Sequence, residues 1–166
     1  MTDAEFQAVF DQHKDAVYRF AWRMSRSPVA AEDITQDVFV GLLRHPGRFD
    51  PARGTLRAFL LGIARNVALK HWRREHRFAP LDDDAVVAPI DLERGDVGDM
   101  VARAVRALGP LQREVVILAE YEGLTLAEVA RAVDADVGTV KSRLHRAREN
   151  LRRMLAPLRS RQPTTA

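Results

Sequence analysis

Residues 123–153, GLTLAEVARAVDADVGTVKSRLHRARENLRR, constrain this chain more than any other stretch. They read as a short helix, a tight turn and a long basic helix, the sequence form of a helix-turn-helix. Thr125 and Glu128 make a capping box before Leu126, Val129 and Ala130. In the last helix Val140, Leu144, Ala147, Leu151 and Leu155 fall on one face. The opposite face and its flanks carry Thr139, Lys141, Ser142, His145, Arg146 and Arg153. Between residues 141 and 153 six Lys/Arg stand against Glu149, a net of +5. A helix N-terminus aimed at phosphate, with arginines behind it, suits the major groove. The plain alternative is a solvated basic helix closing a helical bundle; the capped helix and short turn before it argue against that.

Helical spacing extends over nearly all of the chain. Phe6, Val9, Phe10, His13, Val17, Phe20, Ala21 and Met24 form one stripe, opened by a capping box of Thr2 and Glu5. Pro28 starts a second helix over about 29–44, with Ile34, Val38, Phe39, Leu42 and Leu43 inward, and His45-Pro46-Gly47 ends it. A Pro/Gly-rich loop, PGRFDPARG, precedes a third helix over about 55–77. Leu56, Phe59, Leu60, Ile63 and Val67 form its apolar stripe. Arg57, Arg65, Asn66, Lys70, Arg73, Arg74 and Arg77 lie opposite. Periodicity resumes with Val101, Val105 and Leu108, and Pro110 opens a further helix, with Gly123 suited to a left-handed cap after it. No alternation long enough to demand a sheet is present. The expected fold is all-α: two small helical domains, 1–78 and 99–157, joined by an acidic linker at 79–98 and followed by a tail, 158–166.

Charge follows this division. The net charge of the 166-residue chain is +3, yet residues 79–98 carry six acids against Arg94 alone, so the remainder is +8. Segregated basic charge is expected where a chain meets nucleic acid. No run of 18 apolar residues is present, and the acidic, amphipathic N-terminus does not resemble a signal peptide, so a cytoplasmic location is expected. The absence of cysteine excludes disulfides and thiolate metal sites, and the five histidines are dispersed, which argues against any metal centre. No phosphate-binding, dinucleotide or hydrolase motif occurs, and neither an enzyme nor a cofactor is expected.

These segments, in this order, resemble the two domains of a bacterial RNA polymerase sigma factor of the extracytoplasmic-function (ECF) type, within the sigma-70 family. LGPLQREVVILAEYEGLTLAEVARAVDADVGTVKSRLHRAR (108–148) resembles the domain that reads the promoter −35 element, with GTVKSRLHRAR its most specific part. AEDITQDVFVGLL (31–43) resembles the helix that docks on the clamp of core RNA polymerase, in the β′ subunit. RFDPARGTLRAFLLGIARNVALKHWRRE (48–75) resembles the element that melts and captures the −10 strand. The resemblance implies −35 contacts at Thr139, Lys141, Ser142, Arg143, His145 and Arg146. It implies −10 contacts at Phe49, Arg53, Arg65, Asn66, Lys70, Arg73 and Arg74, and polymerase contacts at Asp33, Gln36, Asp37 and Phe39. A cognate anti-sigma factor is a further partner it implies. The linker of such proteins threads polymerase toward the RNA exit path, where Asp82, Asp83 and Asp84 would mimic nucleic acid.

Other readings of these residues stay open at this level. A stand-alone regulator shares the helix-turn-helix without melting DNA, and a helical adaptor could carry an incidental basic helix. Phe49 can be a core residue, Asn66 a capping or solvent-facing one, and Trp72 reads better as packing than as a stacking platform. The turn Asp134-Ala135-Asp136 departs from the usual Gly-Ile-Pro pattern; Asp tolerates a left-handed turn, and Asp136 can cap the recognition helix. His145 stands at a variable position, so the −35 sequence cannot be read from it. No long extension follows Pro157, so an appended sensory domain is not expected.

Overall fold

The computed structural model describes residues 1–77, 79, 81 and 95–159, all of the regular structure being helical. The acidic residues 82–84, 91 and 93 and the tail beyond residue 159 lie outside the described residues. Three helices come first: α1 (Asp3–Ser25), α2 (Pro28–Arg44) and α3 (Leu56–Glu75). Four follow: α4 (Val97–Ala107), α5 (Pro110–Val116), α6 (Leu126–Ala132) and α7 (Val137–Arg159).

The caps explain where these elements begin. Thr2 accepts from the Glu5 amide while the Glu5 carboxylate accepts from the Thr2 amide, at 3.1 and 2.7 Å. Ser27 and Thr55 cap α2 and α3 singly, accepting from the Ala30 and Ala58 amides. Asp96 accepts from the Asp99 amide at 2.8 Å, so α4 starts two residues inside the segment expected to be linker. Arg26 ends α1 in the left-handed conformation, with φ 62°.

The stripes read from the sequence form the core. Phe20, Ile34, Val38, Leu60 and Leu61 are fully buried among α1, α2 and α3, and Val115, Ile117, Leu118, Val129 and Val140 among α5, α6 and α7. The two sets belong to one contiguous cluster, because α3 packs on α6. Gly62 lies on this contact. A Cβ there would lie 3.4 Å from Ala132 Cα, ordinary van der Waals contact, so the two helices approach within the width of one methyl group.

Beyond α5 the helix widens. Residues 117–121 form a π-helical turn, in which the Glu122 amide donates to the Ile117 carbonyl at 2.9 Å. Gly123 then leaves the turn at φ 67°, a conformation that glycine adopts freely. The result turns Glu122 onto α1 and α3 rather than toward solvent.

Candidate nucleic-acid and polymerase interfaces

The recognition-type helix α7 is positioned by its first turn. Asp136 accepts from the Thr139 amide at 2.7 Å, and this backbone hydrogen bond holds its carboxyl below the usual carboxylate range. Asp134 sits in the left-handed region, φ 52°. The unusual turn thus folds through the two properties expected of aspartate there. Val140, Leu144 and Ala147 anchor α7 to the core. Lys141, Ser142, His145 and Arg146 are exposed on one continuous face, with Thr139 and Arg143 half-buried at its edge. His145 is 70% exposed and lies 3.3 Å from Glu149, one turn further on. The structure brings all six candidate −35 residues to one side of the helix.

The candidate −10 residues lie on α3 and the loop before it. Phe49 is half-buried, its ring 5.5 Å from that of Phe59, so it is neither a core residue nor a free platform. Arg53 is exposed at the end of a single 3₁₀ turn that Asp50 caps. Asn66 is exposed, and its side-chain oxygen accepts from Arg65 Nη1 at 3.3 Å. Lys70, Arg73 and Arg74 continue the row along the exposed face. Trp72 stacks on His76 at 4.4 Å and 12°, which covers one of its faces.

Arg65 is the exception. Its side chain is 14% exposed, and it grips Glu114 with two bonds, Nε to Oε2 at 2.8 Å and Nη2 to Oε1 at 3.0 Å. The helix that should present Arg65 to DNA instead turns it onto the second group of helices. A cleft of about 760 Å³ lies beside this contact. Phe49, Arg53 and Asn66 line one wall, and Arg131, Asp134 and Asp136 the other.

On α2, Asp33, Gln36 and Asp37 are exposed along one polar face. Phe39 is placed differently from the surface contact expected of it. It is 3% exposed and packs edge-on to Phe6 and Phe10, at 6.3 and 4.9 Å between ring centres. Its role is to floor an apolar groove of about 410 Å³ that runs past Gln36 to the half-exposed Leu43.

Three charged residues carry contacts that local patterning did not single out. Glu122, with a side chain 1% exposed, faces Arg57 at 2.6 Å, Arg19 at 3.4 Å and Arg23 at 3.7 Å. Glu114 is fully buried against Arg65. Arg113 donates to the carbonyls of Met24, Arg106 and Leu108 at 2.7–2.9 Å. The available signal was position: Gln112, Arg113 and Glu114 interrupt an apolar run in which a helix must bury some of them. Among the described residues no group of three or more His, Asp or Glu could hold a metal ion. None of the described helices is long and apolar enough to cross a membrane.

This arrangement, a three-helix unit with a basic α3 ahead of a capped helix-turn-helix, has clear counterparts. Residues 9–78 match the Sigma-70 region 2 family and residues 98–151 match Sigma-70, region 4. The ECF RNA polymerase sigma factor SigK of Mycobacterium tuberculosis (strain ATCC 25177 / H37Ra) is 33% identical over 162 residues, covering 92% of this chain and 86% of that protein. The ECF sigma factor SigE of Mycolicibacterium smegmatis is 36% identical over 154 residues, covering 87% and 59%. The sigma factor RpoE of Bartonella quintana, solved with the anti-sigma factor NepR, superposes with a TM-score of 0.72 at 28% identity, covering 92% of this chain and 97% of that one. The chain belongs to the ECF sigma factors of RNA polymerase.

Proposed function

We propose that this sigma factor engages promoter and polymerase through three separate faces. Asp33, Gln36 and Asp37 on α2 dock on the β′ clamp of core RNA polymerase, with Phe39 holding the groove beside them in shape. Lys141, Ser142, Arg143, His145 and Arg146, with Thr139 at the helix start, read −35 duplex. Phe49, Arg53, Arg65, Asn66, Lys70, Arg73 and Arg74 take the melted −10 strand, cations on the backbone and the loop on an extruded base. The functional domains are 1–78 and 99–157, and the protein works in the cytoplasm, as an initiation factor and not an enzyme.

The observation that carries this reading is the coexistence, in one chain, of an exposed acidic and amide row on α2 with two basic helices on different units. A stand-alone regulator needs only α7. Core polymerase is the partner that requires all three. An anti-sigma factor is a further partner, since the structurally similar RpoE is solved with one.

In vitro transcription tests the whole reading: purified core polymerase plus this chain should initiate at a promoter where core alone does not. A chain that binds duplex tightly by itself and never directs initiation would refute it.

A further inference from the structure

The two promoter elements are defined by their positions, about 25 base pairs apart, or about 85 Å of B-form duplex. The whole of α7, 23 residues long, spans only about 35 Å. With Gly62 against Ala132, α3 and α6 are in direct contact. The form described here therefore cannot reach both elements at once, and initiation requires the two units to part.

What holds them together is unusual in one respect. Besides apolar packing, the contact is built from two buried carboxylates of the second unit and four arginines of the first: Glu114 with Arg65, and Glu122 with Arg19, Arg23 and Arg57. The Thr55 hydroxyl adds a bond to Glu128 at 3.4 Å, where the first turns of α3 and α6 meet. Ion pairs around a buried carboxylate nearly break even against the hydration of their parts, so the charged part of the contact adds little net strength to the apolar packing. It is also exchangeable, because guanidinium takes carboxylate and phosphate with the same bidentate geometry.

We propose that Glu114 and Glu122 are an internal latch whose carboxylates occupy Arg65 and Arg57 in the closed chain, and that opening exchanges these carboxylates for nucleic-acid phosphate. The inference rests on the reading of α3 as the −10 strand surface. The latch makes promoter binding by the free chain weak, because apparent affinity falls with the fraction of open molecules. Once polymerase has separated the two units, the same arginines become available to the strand.

The chain has no cysteine, which permits a clean test. A Cβ on Gly62 would lie 3.8 Å from Ala132 Cβ, within the span of a disulfide. The double substitution Gly62→Cys with Ala132→Cys should therefore lock the closed form on oxidation. At a promoter where the wild-type chain initiates with core polymerase, the oxidised variant should lose about tenfold or more of that activity, and dithiothreitol should restore it. The wild-type chain under the same oxidant controls for damage. Full initiation by the oxidised variant overturns the closed-form block.

The carboxylates are tested separately. Glu114→Gln with Glu122→Gln should raise affinity for short random-sequence single-stranded DNA several-fold without polymerase. Unchanged or weaker affinity, in a variant with wild-type helical content, overturns their assignment as the latch. Adding Arg65→Ala to that variant isolates the reading beneath the proposal. If strand affinity does not fall, α3 is not the strand surface, whatever the disulfide result.

Discussion

Arg113 Nη1 donates to the carbonyl of Met24 at 2.7 Å, so a charge rooted in α5 closes the last turn of α1. Its other terminal nitrogen donates to Arg106 and Leu108, and together these bonds seat the start of α5 under two chain segments. Burial, aided by the nearby Arg26 and Arg106, pushes the guanidinium pKa down to about 10, which leaves it charged at neutral pH. Arg113→Ala would orphan three carbonyls and should destabilise the fold by ~3–5 kcal/mol in urea denaturation. Arg113→Lys keeps the charge but lacks the planar fork and should recover less than half of that loss.

His13 makes stability depend on mild acid. It is buried in α1, and desolvation, followed by repulsion from Arg57, lowers its pKa below the ordinary 6.5. The unfolded chain therefore binds a proton in a range where the folded chain does not, and stability must fall as pH drops below about 6.5. The loss stops once the folded imidazole is charged as well. His13→Leu should flatten the urea midpoint between about pH 7 and pH 5, relative to the wild-type chain. An equal slope in both proteins would show that other groups set it.

Arg146 separates base reading from phosphate contact on α7. If it reads a base edge, Arg146→Ala should cost ~1–3 kcal/mol at one −35 position and leave other positions unaffected. Uniform loss across a library of −35 sequences would make it a phosphate contact. His145→Ala should change the preferred base next to it, measured by the same library, without altering the helix content.

On α2, Asp37→Lys should weaken core polymerase binding about tenfold, ~1.4 kcal/mol, while leaving thermal stability unchanged, because the residue is exposed. Phe39→Ala should do the opposite in kind. It empties part of the Phe6–Phe10 cluster and should cost ~3–5 kcal/mol of stability. Calorimetry beside a polymerase-binding titration distinguishes the two.

Much of this architecture is legible in local pattern, for a physical reason. Capping boxes at Thr2 and Thr125, prolines at 28 and 110 and the aspartates of the 134–136 turn act over three or four residues, so the sequence alone shows them. The exposed basic row on α3 and the face of α7 follow from the same periodicity. The contact between units does not. Glu114 and Arg65 stand 49 residues apart, and Glu122 and Arg19 103 apart. No spacing rule couples such pairs: the apolar run around Glu114 hints at burial, but nothing in the sequence names its partner. Phe39 shows the complementary limit: a residue can sit on the helix proposed to meet a partner and still face the core.

The double role proposed for Arg65, on Glu114 and on the strand, has a genetic consequence. On the proposed reading its loss would release one of the two latch carboxylates and, in the same molecule, remove a cation from the strand surface. These effects act on promoter output in opposite directions and partly cancel. A screen that scores only output will rank Arg65 as tolerant, whereas Lys70 or Arg74, exposed on the same helix, will show their full deficit. If both roles hold, selection on this face is pleiotropic, and apparent permissiveness at position 65 would mark a residue under double constraint.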